Sequence, residues 1–127
     1  MQGDADTILK LFNDLEDGRL KDNPRAELDM GIEHHKAGRL AQAENFYRNV
    51  LSTNPKNAEA LHLMGLAAHH GGRNKQAIEF ITNAISNDQG NVKYYNNLGI
   101  VYLALDKNSN ASKCFKDALK IDPNSTN

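Results

Sequence analysis

The sequence predicts an all-α protein, an α–α superhelix (solenoid) in which helix-turn-helix units are stacked one on another. The first observation is a repeat: Gly31, Gly65 and Gly99 lie 34 residues apart, and each follows a large apolar residue. The second observation is that each repeat contains two stretches of helical length with a short break between them. Self-similarity at a fixed period of this length is typical of stacked repeat proteins, and we therefore expect three units.

Further landmarks recur with the same period and set the limits of the units. Pro55 and Pro123 close two of them, and Gln89 lies where the middle proline would be. The landmarks of the second half of each unit are Ala43, Ala77 and Ala111; Tyr47, Ile81 and Phe115; and Val50, Ala84 and Ala118. The three units are therefore about 24–57, 58–91 and 92–125, within a repeat domain of residues 24–127.

Each unit is predicted to contain two helices. The predicted helices cover about residues 24–37 and 40–53, 58–71 and 74–87, and 92–105 and 108–121. Pro24 suits an opening helical turn, because proline fits the first helical position. Gly38 is a stop signal for the first helix. Asn54 ends the second helix, since a residue before proline disfavours the helical region.

The breaks between the paired helices contain residues that tolerate a left-handed backbone. Gly38 lies at the first break and Gly71-Gly72 at the second. Asp106 replaces glycine at the third break, and aspartate adopts left-handed conformations more readily than most residues. We therefore expect the same tight turn in all three units.

Gly99 lies in the middle of a predicted helix, where glycine costs about 1 kcal/mol relative to alanine. We expect the two helices of a unit to cross closely at this point, with the glycine of one helix facing an alanine of the other. The larger residues would fill the wider gaps on either side of the crossing. The packing gained in this way would offset the loss of helix propensity.

The two ends of the chain differ from the repeats. Residues 1–23 form a separate segment with a short amphipathic N-terminal helix, whose apolar positions are Ile8, Leu11, Phe12 and Leu15. This helix either caps the first unit or occupies a groove of its own or a neighbouring molecule. At the other end, the face that carries Phe115, Leu119 and Ile121 would be partly uncovered. A fragment of a longer protein or self-association would explain such a face.

Composition excludes several classes of function. The chain has 127 residues and a formal net charge of −1, so it lacks the basic field that nucleic acids and anionic membranes attract. No signal peptide or transmembrane stretch is recognisable, and we expect a cytoplasmic location. Cys114 is the only cysteine, so no internal disulfide can form. No catalytic arrangement stands out, and we expect neither an enzyme nor a bound cofactor.

The 34-residue period and its Gly, Ala, aromatic, Ala and Pro landmarks resemble the tetratricopeptide repeat. The third unit, YYNNLGIVYLALDKNSNASKCFKDALKIDPN, is the best match, and the whole chain looks like a bacterial-type array. The first unit departs from the pattern at Glu27 and His34, which predicts a loosened first helix. Bacterial arrays of this kind often precede a glycosyltransferase, methyltransferase or sulfotransferase domain.

The resemblance implies that the first helices of the units line a concave groove that binds a protein or peptide. The predicted groove residues are Leu28, Ile32, His35, His62, Leu63, Leu66, His69, Lys93, Asn96, Asn97 and Ile100. Five of them form an apolar stripe that suits an amphipathic helix or an extended apolar peptide: Leu28, Ile32, Leu63, Leu66 and Ile100. Alternatively, some of these side chains are part of the core.

Related co-chaperones use the same face to hold the C-terminal carboxylates of a peptide. Their clamp of Lys, Asn, Asn, Lys and Arg corresponds here to Leu28, Ile32, Leu63, Lys93 and Asn97. Only Lys93 fits, because the apolar residues supply no charge-assisted donor for a carboxylate. The sequence therefore argues against a receptor for chaperone tails.

The histidines leave two alternatives open. His35 and His69 are one period apart, so they would be near neighbours on adjacent helices, and His62 lies two turns before His69. Imidazole is a common metal ligand, but no His-x3-His pair supports a site, and we predict none. The milder alternative is ligand binding that depends on pH between about 5 and 7.

We conclude from the sequence that the chain is a non-catalytic scaffold for protein–protein interaction, with a partner peptide or helix in the groove. The alternative is an accessory or substrate-recognition module cut from a larger enzyme, such as a glycosyltransferase or methyltransferase. Neither nucleic acid nor membrane is expected as a partner.

Overall fold

The computed structural model describes residues 23–124. Within this range the chain forms six α-helices and no strand: α1 (Pro24–Lys36), α2 (Leu40–Thr53), α3 (Ala58–His70), α4 (Asn74–Asn87), α5 (Val92–Ala104) and α6 (Asn108–Ile121). Each predicted helix is confirmed to within one residue at its ends. The amphipathic helix predicted within residues 1–23 lies outside the described residues.

Asparagine residues with the 34-residue period cap the first helices of the units, α1, α3 and α5. The side-chain oxygen of Asn23 accepts a hydrogen bond of 3.1 Å from the backbone N–H of Ala26. Asn57 and Asn91 occupy the equivalent positions before α3 and α5, and their side chains accept from the backbone N–H groups of Ala60 and Lys93. Each cap satisfies an N–H group that has no partner within its own helix.

The turns between paired helices share one geometry. Gly38 and Gly72 have φ angles of 81° and 80°, and Asp106 has a φ of 57°, so all three are left-handed as predicted. The next residue in each turn donates its N–H to a carbonyl five residues earlier; for Arg39 and His34 this distance is 2.9 Å. This is the Schellman arrangement, which ends a helix and reverses the chain.

The glycine in each first helix packs chiefly against a large side chain of the second helix, and only Gly65 also approaches an alanine, at the backbone oxygen of Ala77. A Cβ atom on Gly99 would lie 2.5–2.9 Å from three ring atoms of Phe115. Tyr47 lies over Gly31 in the same way, and Ile81 over Gly65. The expected glycine–alanine crossing is therefore corrected for Gly31 and Gly99: the absent side chain makes room for a large residue sixteen positions later.

The helices stack in sequence order and enclose a continuous core. Each helix packs on its neighbours along the chain, and each first helix also contacts the next first helix. The core has two clusters, around Tyr47 and around Ile81, and Leu51 and Phe80 contact both. The molecule is therefore quasi-one-dimensional, as expected for stacked repeats.

Charged side chains also join the first two units. Arg25 on α1 binds Asp29 on its own helix at 2.9 Å and Glu59 on α3 at 2.8 Å. Glu44 on α2 is only 6% exposed and forms an ion pair with Arg73, which precedes α4. The first helix is regular over its 13 residues although Glu27 is buried in it, so the expected loosening is not seen.

The outer side of α6 leaves apolar side chains in solvent. Leu119 is 45% exposed and Ile121 is 39% exposed, whereas Phe115 is half-buried over Gly99. In the second unit the residue equivalent to Leu119 is Ile85, which packs against the core. α6, the second helix of the third unit, therefore exposes an apolar position that packs against the core in α4.

Candidate peptide-binding groove

A depression lies on the side of the molecule that the first helices form. Its volume is about 520 Å³, and we call it the central depression. α1, α3, α5 and the loop before α5 provide its lining: Ile32, Ala58, Glu59, His62, Leu63, Leu66, Asp88, Asn91, Lys93, Tyr94 and Asn97. The central depression therefore spans parts of all three units.

Six of the eleven predicted groove residues line the central depression, and these are Ile32, His62, Leu63, Leu66, Lys93 and Asn97. The other five do not line it. Leu28 is 3% exposed and belongs to the same core cluster as Val50 and Met64. Its place in the groove is therefore corrected, because it is buried between helices and a partner cannot reach it.

The remaining four predicted residues lie elsewhere on the first helices. His35, His69 and Asn96 are half-buried, and Ile100 is 48% exposed. Ile100 is related to Leu66 and Ile32 by the repeat, since the three lie 34 residues apart. We call Ile32, Leu66 and Ile100 the apolar row, because they occupy equivalent positions on the three first helices, α1, α3 and α5.

His62 and Asn97 form the polar part of the central depression. The side-chain amide N–H of Asn97 donates a hydrogen bond of 2.8 Å to Nε2 of His62. The ring of His62 also packs on Tyr94, with 4.5 Å between the ring centroids. Burial, with a contribution from the positive charge of Lys93, lowers the pKa of His62 to about 4. The imidazole is therefore neutral at pH 7, and its Nδ1 carries the proton.

Of the charged side chains at the central depression, Glu59 is paired and Lys93 is not, within the described part of the chain. The carboxylate of Glu59 accepts two hydrogen bonds from Arg25, at 2.8 and 2.9 Å. Lys93 is exposed, and among residues 23–124 no carboxylate pairs with it. The rim therefore offers one available ammonium group beside an apolar wall.

Five lining residues are not among the eleven predicted groove residues: Ala58, Glu59, Asp88, Asn91 and Tyr94. Asn91 caps α5, and a signal for it was present, because Asn23 and Asn57 precede it with the 34-residue period. Asp88 follows α4 and accepts a 3.4 Å hydrogen bond from Asn91. These residues come from the junction between units, which an analysis of helix faces does not cover.

The histidine pairs differ from the expected arrangement. His35 contacts His70, with 2.6 Å between Nε2 of His35 and Nδ1 of His70, and the predicted neighbour His69 instead contacts Asn74 at 2.7 Å. His62 is separately engaged with Asn97. In the part of the chain that the structure describes, no group of three or more His, Cys, Asp or Glu side chains could hold a metal ion.

Two further observations concern reactivity and membranes. Cys114 is buried, and burial raises the pKa of its thiol, which disfavours the reactive thiolate. Among the described residues, no helix is long and apolar enough to cross a membrane.

Family models and solved structures both match this chain. Two models described as tetratricopeptide repeat match residues 34–98, more than half of the chain, and residues 92–125. No curated protein matches it. MamA, whose crystal structure is known, has 20% sequence identity and a TM-score of 0.82, over 96% of this chain and 71% of its own.

Two other solved structures bear on function. The first TPR of Spaghetti (RPAP3), bound to the HSP90 peptide SRMEEVD, has 20% identity and a TM-score of 0.78, over 84% of each chain. An O-GlcNAc transferase mutant of Thermobaculum terrenum has 30% identity and a TM-score of 0.75 over 80% of this chain. The similarity covers only 19% of that transferase. The first two likenesses are too low in identity to show more than the fold.

Proposed function

The chain belongs to the tetratricopeptide repeat family, and we propose that it is a protein-interaction scaffold that holds an apolar peptide segment of a partner. The observation that carries the proposal is the apolar row, Ile32, Leu66 and Ile100, beside the central depression. Apolar side chains grouped on an exposed concave face typically mark binding sites.

The spacing of the apolar row constrains the peptide. Each first helix contacts the next, and helices in contact are typically about 8–10 Å apart, which gives the spacing that we expect for the row. A polyproline II segment places every third side chain on one face about 9 Å apart, and an α-helix places positions i and i+7 about 10.5 Å apart. We therefore propose a ligand with large apolar side chains at one of these two spacings.

Polar groups of the central depression would bind the main chain of this peptide. Asn97 uses its amide N–H for His62, and its side-chain oxygen remains a suitable acceptor for a peptide N–H. Lys93 at the rim can donate to a peptide carbonyl. Such contacts would bind the main chain of the peptide, while the apolar row would select its side chains.

An acidic C-terminal tail is a poor candidate for the ligand, although the first TPR of Spaghetti is bound to the HSP90 peptide SRMEEVD. Of the five positions that correspond to a carboxylate clamp, Leu28 is buried and Ile32 and Leu63 are apolar. Carboxylates require charge-assisted donors. We therefore propose an internal apolar segment as the ligand.

Peptide selection on the whole chain, followed by calorimetry with the selected peptide, tests the proposal. We expect selected peptides with apolar residues three or seven positions apart. Ile100→Asp and Leu66→Asp should weaken binding at least about tenfold, because they place a charge in the apolar row. Leu119→Asp is the matched control, since Leu119 is about as exposed as Ile100 but lies on α6. Binding that survives both row variants, or that is lost in Leu119→Asp, would contradict the proposal.

Self-association through the outer side of α6 is a separate proposal that the same variants test. Leu119 and Ile121 are exposed there. We expect light scattering of the whole chain to show a dimer that Leu119→Asp converts to a monomer and Ile100→Asp does not affect. A monomeric wild-type chain at high concentration rules this interface out.

The second candidate function is a substrate-recognition module of a larger enzyme, such as a glycosyltransferase or methyltransferase. The likeness to part of an O-GlcNAc transferase at 30% identity favours it. Sequencing the reading frame around this segment decides the question. A transferase domain in the same frame supports this alternative, and a stop codon directly after Asn127 contradicts it.

A further inference from the structure

Two histidines from different repeats meet at the junction of the first two units. His35 lies near the end of α1 and His70 at the end of α3, and Nε2 of His35 is 2.6 Å from Nδ1 of His70. The rings meet edge to face, with 4.9 Å between their centroids and an interplanar angle of 73°. One nitrogen from each helix is therefore directed at the same small volume.

Tyr47 and Glu44 lie near the His35 side of this histidine pair. Burial lowers the pKa of His35, and the neighbouring His70 adds to the effect. Nδ1 of His35 lies 3.4 Å from the hydroxyl of Tyr47, within reach of a long hydrogen bond. The carboxylate of Glu44 is almost fully buried, and it raises the pKa of His35, because a nearby negative charge favours the protonated ring.

We propose that His35 and His70 form a two-histidine binding site for a divalent transition-metal ion of the Zn²⁺ class. Neutral imidazole is the preferred nitrogen ligand of such ions, and Zn–N bonds are about 2.0–2.1 Å long. Two nitrogens bound at a tetrahedral angle are roughly 3.4 Å apart, so the rings need to separate by less than about 1 Å. Side-chain rotation at a partly exposed junction can provide this movement.

The contact of His35 with Tyr47 can serve as an outer-shell hydrogen bond of a histidine metal ligand. A metal-bound histidine usually makes a hydrogen bond through its second ring nitrogen, which fixes the tautomer. The hydroxyl of Tyr47 can accept this bond from Nδ1 of His35 and leave Nε2 free for the metal. Burial raises the pKa of Tyr47 to about 12, so the tyrosine stays neutral and supports the ligand without binding the ion itself.

The proposed site contains two protein ligands, and water completes the coordination. In residues 23–124 no third His, Cys, Asp or Glu is grouped with this pair to form a site. Binding is therefore weaker than at a structural zinc site with four protein ligands. Because the ligands come from α1 and α3, the bound ion would link the first two units and stabilise their junction.

Calorimetric titration of the whole chain with ZnCl2 at pH 7.5 tests the site. We expect one ion per chain, with affinity at least about tenfold weaker in His35→Gln and in His70→Gln. The matched controls are His34→Gln and His69→Gln, which alter the neighbouring histidines on the same two helices and leave the pair intact. His34 contacts Arg39, and His69 contacts Asn74. Both controls should bind within about twofold of wild type.

Thermal unfolding with and without Zn²⁺ provides the second readout, and circular dichroism first establishes that each variant is folded. His70 is exposed, so His70→Gln should fold even where His35→Gln is unstable. The midpoint should rise with Zn²⁺ in the wild type and both controls, and not in His70→Gln. Absence of Zn²⁺ uptake, or equal uptake by wild type and His70→Gln, would overturn the proposal.

Discussion

The side-chain amide of Asn97 donates a hydrogen bond of 2.8 Å to Nε2 of His62, and this bond connects the first helices of the second and third units. His62 is only 4% exposed, and its ring is covered on one side by Tyr94. The bond requires Nε2 to be free of a proton. Protonation of His62 at Nε2 would therefore remove this hydrogen bond between the second and third units.

Stability should fall as the pH is lowered through the titration of His62. The unfolded chain takes up a proton near pH 6.5, whereas burial and Lys93 delay protonation of the folded chain to about pH 4. The unfolded state therefore binds more protons in this range, and the free energy of unfolding decreases as pH falls. The contribution of His62 lost between pH 7 and pH 4 is up to roughly 3 kcal/mol. Urea unfolding at a series of pH values measures it.

His62→Gln separates this contribution from that of the other titrating groups. Burial also lowers the pKa values of His34 and His35, so part of the pH dependence will persist in the variant. The difference in slope between wild type and variant belongs to His62. Identical slopes would show that the folded chain does not hold this imidazole neutral.

Gly99→Leu should destabilise the third unit. A Cβ at this position already lies 2.5 Å from the Phe115 ring, and the further atoms of leucine have no space. We expect a loss of about 3 kcal/mol from overpacking, only partly offset by the better helix propensity of leucine. Thermal and urea unfolding measure the change.

Gly90 supplies the control for this substitution. It lies in the loop before α5, and no atom comes within 4 Å of a Cβ placed there. Gly90→Leu should therefore change stability by less than about 0.5 kcal/mol. Replacing Phe115 by alanine in the Gly99→Leu background should restore part of the loss. If the two leucine variants are equally stable, the packing explanation is wrong.

The fold was predictable because its signals are local and repeated. Glycine and proline positions with the 34-residue period located all six helices to within one residue, and Asp106 marked a left-handed turn. The packing partner of Gly99 was predicted wrongly, because periodicity indicates which positions are equivalent but not which side chains meet. Phe115 and Ala111 lie one turn apart on the same helix, and only the crossing geometry distinguishes them.

The candidate groove was less predictable than the fold. The first helices of a solenoid contact both their own unit and the next, so an apolar residue on them can be core or surface. Leu28 is core and Ile100 is exposed, although both were predicted to lie on one apolar stripe. His35 contacts His70, and not His69, because adjacent helices are offset by an amount that the repeat period does not reveal.

Asp106→Gly should stabilise the chain. Asp106 has a φ of 57°, in the left-handed region, where a residue with a Cβ is strained and glycine is not. Gly38 and Gly72 occupy the equivalent turns with φ angles near 80°. We expect a gain of up to about 1 kcal/mol in Asp106→Gly, and a loss of about 1 kcal/mol in the mirror experiment Gly72→Ala. Stabilisation by both substitutions, or by neither, would contradict this account of the turn.

In the ion pair of Glu44 and Arg73, the carboxylate is buried and the guanidinium is exposed. The side chain of Glu44 is 9% exposed, and that of Arg73 is 42% exposed. Arg73→Met removes the main partner of a buried carboxylate and leaves only Arg48, at 3.7 Å, so we expect a loss of about 1–2 kcal/mol. Chemical unfolding at pH 7 measures it.

The repeat itself suggests the compensating substitution. The residue equivalent to Glu44 in the second unit is Ile78, which is partly buried against the core. Glu44→Ile together with Arg73→Met removes both charges and places an apolar side chain where the repeat already accommodates one. The double variant should therefore be more stable than Arg73→Met alone, since no buried charge is left without its partner. If the separately measured effects of Glu44→Ile and Arg73→Met simply add in the double variant, the buried carboxylate does not depend on Arg73.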